Sequence, residues 1–401
     1  MTTQPVLIAG SGPAGSLLAL YLSQQEIPVI LFEKQPDLPV DLRASTFHPP
    51  SLEMLDELGV ADAMIAKGLK VDRYQYRDRR TKEVAEFDMG LLSDDTRFPF
   101  RLQLEQYEMT RIINQQLANY PTAQVLFSHE VLGFSQDDNG VTVLVNTPDN
   151  EKQFRGSFLL GCDGASSQVR KAAGIGYGGF TYNEKFLVVS TPFPFEQVFD
   201  NLSYVNYISD PDEWCVLLRT EKLWRVLWPT DPAEANPAQT YLNDQYIQQR
   251  LQHLHAKAGD YDIGHKTLYA VHQRVAERYV QGRMVLVGDA AHINNPLGGM
   301  GMNGGLHDAH NLAQKLTCIL KEGASYPELF AQYERQRKDL AVEFVQQHTI
   351  ANKQMMETKD PEQQQKRQQW FMETAADPSK ARAFMLERAM FNCLRDSLQQ
   401  A

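Results

Sequence analysis

Residues 1–33 leave this chain little choice of fold. Residues 5–9 (PVLIA) are a short apolar run and residues 10–15 (GSGPAG) are glycine-rich; residues 16–24 (SLLALYLSQ) carry apolar side chains at helical spacing. Residues 27–32 (IPVILF) form a second apolar run that ends on Glu33. Strand, tight turn, helix and strand in so few residues make one βαβ unit, the start of a parallel sheet. In the turn, Gly10, Gly12 and Gly15 spell G-x-G-x-x-G, with Pro13 and Ala14 between the last two. Missing side chains there permit the turn and let N–H groups at the helix mouth reach a pyrophosphate. Glu33, followed by Lys34, stands where a carboxylate accepts hydrogen bonds from an adenosine ribose. A bare glycine pattern arises by chance, so the reading rests on strand, helix, second strand and terminal acid together. A carboxylate at that place opposes a 2′-phosphate, so this half is expected to hold FAD or NAD rather than NADP.

Two further signals follow. Residues 283–305 (RMVLVGDAAHINNPLGGMGMNGG) read as a strand ending in Gly288-Asp289, then a loop with Pro296 and five glycines, then a helix. An Asp at a strand end can bind a ribityl hydroxyl, and a glycine-rich helix start offers N–H donors to an anionic ring or phosphate. Between the two regions, Cys162-Asp163-Gly164 follows the buried run 158–161.

Elsewhere, residues 49–58 read as a helix opened by proline and closed before Gly59, and residues 106–117 as another. Residues 125–145 alternate around a DDNG hairpin turn at 137–140. From 186 to 229, LVVST, LSYVNYI, WCVLLRT and LWRVLWP are consecutive strand-like runs, which suggests a largely antiparallel sheet inserted into the α/β chain. The tail beyond about residue 340 reads as helical, and its last segment is expected to pack on its own domain rather than on a membrane or partner.

Composition narrows the function classes. The 401 residues are 43% hydrophobic and 22% charged, ordinary for a globular protein. With 39 Lys plus Arg against 50 Asp plus Glu, the net charge of −11 disfavours a nucleic-acid partner. The four cysteines, Cys162, Cys215, Cys318 and Cys393, lie far apart with no CxxC, so neither a metal site nor a disulfide framework is indicated. The start lacks a basic n-region and no apolar stretch is long enough to span a bilayer, so the chain is expected to be cytoplasmic, without a membrane span.

With the three nucleotide motifs in this order, residues 5–340 resemble the single-component FAD-dependent aromatic hydroxylases of the para-hydroxybenzoate hydroxylase type, the group A flavoprotein monooxygenases. The resemblance implies an α/β fold: a Rossmann-like βαβ FAD-binding domain with a parallel sheet, an inserted largely antiparallel substrate sheet, and a C-terminal helical segment. It places the FAD-binding domain discontinuously at 1–75, 100–175 and 271–345, the substrate-binding domain at 76–99 and 176–270, and the helical segment at 346–401. Residue by residue, Glu33 resembles the ribose-binding acid, Arg43 and Gln106 resemble FAD contacts, and Val131 lies where a backbone contact to adenine is usual. Asp163 is a shared FAD and NAD(P)H candidate, and Asp289 matches the ribityl-binding aspartate. Met302 and Asn303, with Gly299 and Gly301 before them, match the helix start that faces the pyrimidine edge of the isoalloxazine. Pro296 sits where the family places a proline near the reacting position. His292 in GDAAH is expected to be structural, as are Arg335 and Arg337.

The family chemistry implied is reduction of FAD by NADH or NADPH, addition of O2 at C4a, and delivery of electrophilic oxygen from the hydroperoxide to a phenolic or N-heteroaromatic ring. Flavin chemistry needs a dry cavity and no nucleophilic side chain, which fits the absence of G-x-S-x-G, HExxH or a Cys/His cluster. Substrate candidates are Tyr204, Trp214, Arg219, Trp224 and Arg225 from the inserted strands, with His48 and Asn295 from the flavin side; strand alternation should turn about half of the former away. Tyr204 in LSYVN resembles the strand that carries a substrate-phenol tyrosine, and with Pro296 it is the expected reaction-side pair. A same-fold reductase or halogenase and a non-enzymatic flavin-binding protein remain alternatives, although LWRVLWP lacks the W-x-W-x-I-P of tryptophan halogenases. Monomer and homodimer both stay open.

Overall fold

The computed structural model describes residues 4–40, 44–210 and 213–399. Its first sheet has six strands in the order Val280–Gln281, Met284–Leu286, Leu159–Gly161, Val6–Ala9, Val29–Glu33, Ala123–Phe127. All pairings are parallel except the edge strand Val280–Gln281. The opening βαβ unit is thus as expected, and the strand Val6–Ala9 is flanked by Val29–Glu33 on one side and Leu159–Gly161 on the other. The chain leaves the first strand in one direction and returns on the opposite side, so a crevice opens beyond their carboxyl ends, the place where open α/β sheets bind ligands. Helices Pro13–Gln24, Gln106–Leu117 and Met300–Glu322 share one core with this sheet, built on residues such as Leu17, Ile113 and Leu312.

The strand of MVLVGD is short. It stops at Leu286, because Gly288 at φ +60° turns the chain into the single 3-10 turn Gly288–Ala290. The hairpin about residues 137–140 forms between Glu130–Asp137 and Gly140–Asn146.

The second large sheet has eight strands in the order His292–Ile293, His265–Ala276, Tyr177–Thr191, Trp224–Pro229, Cys215–Arg219, Val205–Ser209, Arg73–Asp78, Val84–Asp88. It is antiparallel apart from the pairing of Val205–Ser209 with Arg73–Asp78. One face, with Leu187, Val189, Leu217, Trp224, Val226 and Trp228, packs on Ile247 and Leu251 of the helix Asp244–Leu254. The other face looks back at the first sheet across a cavity. The tail is helical and packs on its own chain: Phe371, Met385, Leu386 and Phe391 cover Tyr74, Tyr76, Phe87 and Leu92 at the sheet's far edge, with Phe371 stacked on Tyr76 at 3.8 Å. Among the described residues no helix is long and apolar enough to cross a membrane.

Candidate active site

The glycine turn is shaped by close approaches. Gly10 has φ +99°, and a Cβ added there would lie 2.5 Å from the Cys162 carbonyl oxygen. A Cβ on Gly15 would lie 1.9 Å from the Gly10 carbonyl oxygen, so the helix presses on the turn with no atom to spare. Gly12 differs: its Cβ would meet no protein atom within 4 Å, because the residue faces the cavity. Glu33 fastens the turn from the second strand. One carboxylate oxygen accepts from Ser11 N–H at 3.0 Å and Ser11 Oγ at 2.8 Å, and the other from Gln35 N–H at 3.0 Å. Asp163 comes to the same crevice, its Oδ2 capping the short helix Gln168–Ala172 through N–H groups of Gln168 (2.7 Å) and Val169 (3.1 Å). Its Oδ1 is buried and accepts no hydrogen bond within the described residues. An open glycine face, an oriented acid and an unpartnered carboxylate oxygen thus share one crevice.

A single cavity of about 820 Å³ runs from this turn to the inner face of the eight-stranded sheet. Of the sequence-derived cofactor set, Gly10, Gly12, Pro13, Ala14, Glu33, Lys34, Gln106, Val131, Asp163, Asp289, Gly299, Gly301 and Met302 line it. Gly15 and Asn303 stand behind the wall. Asn303 accepts from His48 N–H (2.9 Å) and donates to Thr46 O (2.9 Å) and Gly299 O (2.6 Å), and so ties the start of the long helix to the strand below. Arg43 lies outside the described residues.

The loop before that helix also borders the cavity, with Pro296 on its surface. Gly298 and Gly299 have φ +104° and +69°, backbone that a side chain would strain. His48 and Asn295 serve this loop from behind and do not line the cavity. His48 is fully buried and its Nε2 donates to Gly298 O at 2.9 Å; burial, and then the nearby Arg101 charge, push its pKa down to about 3, so the ring is neutral. Asn295 donates its N–H to Gln273 Oε1 (3.0 Å) and accepts from Leu297 N–H (3.1 Å), while Gln273 reaches Thr349 Oγ1 (2.9 Å) in the C-terminal helix Gln347–Glu357.

At the end of the cavity beneath the eight-stranded sheet, the pleat decides which side chains arrive. Val188, Val205, Val216, Leu218 and Leu227 point inward and make an apolar wall, with Tyr207, Tyr269, Arg101 and Arg225 as its polar members. Arg225 is where the sequence placed it. Tyr204, Trp214, Arg219 and Trp224 are not. Tyr204 precedes its strand, is half-exposed, and meets Trp224 edge-on at 6.3 Å. Trp224 alternates with Arg225, so it falls on the outer face and donates to Glu196 at 2.5 Å; the Arg219 guanidinium lies 5.9 Å from the same indole. Trp214 packs edge-on against Phe186 at 6.0 Å. The inward tyrosine is Tyr207, three residues on. Arg101 also went unread: it sits in the three-residue strand Arg101–Gln103 between Phe100 and Leu102, and an arginine set in so apolar a run was the available signal.

His292 has no part in the cavity. Its Nε2 lies 2.7 Å from Asp308 Oδ2, which also accepts Gly288 N–H (3.1 Å), while Asp308 Oδ1 accepts from Arg337 Nε at 2.6 Å. Burial alone would raise the Asp308 pKa, but His292 and Arg337 hold it below the usual carboxylate range. This buried triad pins the GD turn to the long helix.

Comparison with known proteins agrees with the geometry. Residues 3–348 match the family model described as FAD binding domain. Para-nitrophenol 4-monooxygenase of Pseudomonas sp. (strain WBC-3) is 31% identical over 400 residues, 98% of this chain and 96% of that one. The crystal structure of p-nitrophenol 4-monooxygenase from Pseudomonas putida DLL-E4 superposes with a TM-score of 0.90 at 30% identity, covering 98% of both chains. A ternary complex of aklavinone-11 hydroxylase with FAD and aklavinone gives a TM-score of 0.78 at 26% identity, over 88% of this chain and 69% of that one.

Proposed function

Because this chain belongs to the FAD-binding family of aromatic monooxygenases, we propose that it hydroxylates a small phenolic or N-heteroaromatic compound with O2 and NADH or NADPH. The observation that carries the reading is the continuity of one 820 Å³ cavity from the glycine turn, past the Pro296 loop, to an apolar sheet face. Such a volume is within the range of small-ligand sites.

When bound, FAD would supply the electron transfer and oxygen activation that no side chain here offers. The chain's own residues bind, orient and keep dry. The N–H groups of the Gly10–Gly15 turn would hold the pyrophosphate, Glu33 and Asp163 the sugar and its neighbourhood, and the start of the helix Met300–Glu322 the polar edge of the ring system. Asn303, His48 and Asn295 keep the Pro296–Gly299 loop in one shape. Val188, Val216, Leu218 and Leu227 exclude water from the reacting ring, which guards against unproductive loss of oxidant. Tyr207 and Tyr269 are the hydroxyls that can meet a substrate oxygen.

The test is NAD(P)H oxidation by the FAD-loaded protein over a panel of one-ring aromatics, with isotopically heavy O2 and product mass spectrometry. One heavy oxygen atom gained by the ring is expected. Oxygen-independent turnover would reassign the protein as a reductase, and a protein that takes up no FAD would end the reading.

A further inference from the structure

The helix Gln347–Glu357 packs inward with an unusual face. Its buried residues, Thr349, Asn352, Lys353 and Met356, recur at helical spacing as a core-facing stripe should, yet three of the four are polar. Such a stripe gains little from burial itself and has to be matched group by group. Thr349 Oγ1 meets Gln273 Nε2 at 2.9 Å, and Lys353 Nζ lies 2.5 Å from both Glu184 and Glu357. Asn352 meets the Pro296 loop. Its Nδ2 donates to Leu297 O at 3.2 Å, and its Oδ1 accepts from Arg388 Nη1 of the helix Pro378–Arg388. A guanidinium only donates and a carbonyl only accepts, so an amide turned this way round satisfies both.

The carbonyl that Asn352 holds belongs to the central peptide of a tight turn. Gly299 N–H donates to Pro296 O at 3.0 Å; between them Gly298 has φ +104° and Leu297 is not among the residues of positive φ, which makes the turn type II. Types I and II differ by rotating the central peptide through roughly half a turn, and glycine in the third place permits either sign of φ. The turn's own residues admit both forms, and the contact with Asn352 selects one. Leu297 and Gly298 line the cavity, and Leu297 packs with Val188, Val216 and Met356. A rotated peptide would take its carbonyl oxygen away from Asn352 and offer it, with the water it attracts, to that apolar wall.

We propose that Asn352, oriented by Arg388, is a positioning residue that holds the Leu297–Gly298 peptide in its type II orientation, and that a helix beyond the family-matched residues thereby keeps oxygen use coupled to hydroxylation. The second half rests on the hydroxylase reading. Asn352 does not line the cavity and acts through the turn. When the wall is wet, NAD(P)H, one proton and O2 give NAD(P)+ and hydrogen peroxide, and the electrons are spent without an oxygen atom reaching the ring.

Asn352→Asp separates positioning from stability. The carboxylate keeps Arg388, now as an ion pair, but has no donor for Leu297 O. Expected are a urea midpoint and an FAD Kd close to wild type, and a crystal structure in which the Leu297 carbonyl is turned from residue 352. Product formed per NAD(P)H consumed should fall by about 2- to 10-fold, the worth of one hydrogen bond as a population ratio, with hydrogen peroxide making up the difference. Arg388→Met, which frees the amide to rotate, should show a smaller loss that Arg388→Lys recovers. A carbonyl still directed at residue 352, or wild-type coupling, overturns the proposal. So does coupling lost only in step with FAD uptake and the urea midpoint, which makes the contact merely structural. If the wild type itself yields no hydroxylated product, the hydroxylase reading falls and the crystal structure decides the turn; if Asn352→Asp fails to fold, the coupling of the two Arg388 variants decides.

Discussion

Gly12 and Gly15 lie three residues apart in one motif, yet the structure gives them opposite jobs, and alanine at each should fail differently. At Gly15 the new Cβ falls 1.9 Å from the Gly10 carbonyl oxygen, where contacts below 3.0 Å are essentially never seen. The helix Pro13–Gln24 would have to withdraw by at least 3.0 − 1.9 = 1.1 Å from a backbone atom that cannot rotate away. Overpacking of this kind costs about 1–3 kcal/mol, and because Leu17, Leu18 and Leu20 of that helix are fully buried, the loss is felt without any ligand. At Gly12, φ is −66° and the Cβ enters open cavity, so apo stability should be unchanged or improved by a few tenths of a kcal/mol through the stiffer unfolded chain. The cavity side is where the pyrophosphate would sit, and displacing one charge-assisted N–H bond to it costs about 1.5–3 kcal/mol, or roughly 10- to 150-fold in FAD affinity. Thermal unfolding of the apoprotein and FAD titration by fluorescence quenching read the two effects separately. Gly15→Ala should lower both. Gly12→Ala should lower only the second, and a Gly12→Ala protein that binds FAD like the wild type would refute the assignment of this turn as the diphosphate cradle.

Three further outcomes follow from the same geometry. Asp308→Asn leaves Arg337 buried beside a neutral amide, so unfolding should come about 3–5 kcal/mol more easily in urea; an unchanged midpoint would refute the role given to the triad. His48 has a folded-state pKa of about 3 against an ordinary value of 6.5, so the unfolded chain binds more protons between those values. Its contribution to stability is therefore complete above pH 6.5 and lost progressively as pH falls toward 3, and denaturation curves at stepped pH should show the decline beginning above the carboxylate range. Tyr207→Phe should weaken an aromatic ligand that meets this hydroxyl by about 2- to 10-fold through loss of a hydrogen bond, whereas Tyr204→Phe should leave the ligand's Kd unchanged, as expected of a surface change that touches no ligand; equal losses at the two positions would place the strand's inward face wrongly.

The contrast between Tyr204 and Tyr207 shows where reading residues in a row stops working. The nucleotide half is legible because its information is local: a glycine that must be bare, an acid at a strand end, a helix from Gln106 to Leu117 whose spacing alone marks it. The inserted sheet hides its phase because both of its faces are apolar. Leu217 and Trp228 pack on the helix Asp244–Leu254 and Val216 and Leu227 line the cavity, so the polar-apolar alternation that reports orientation never appears. Only the register settles it, with Val205 opposite Leu218, a cavity residue, and Tyr204 left before the strand's first residue. Arg101 was hidden for another reason. In sequence it is one more cation in a chain of net charge −11, surrounded on average by acid. In the fold its guanidinium lies over the Tyr74 ring, a residue from a distant part of the chain. A ligand that reaches the cavity as an anion must cross the unfavourable field of a chain of net charge −11, so added salt should speed its association.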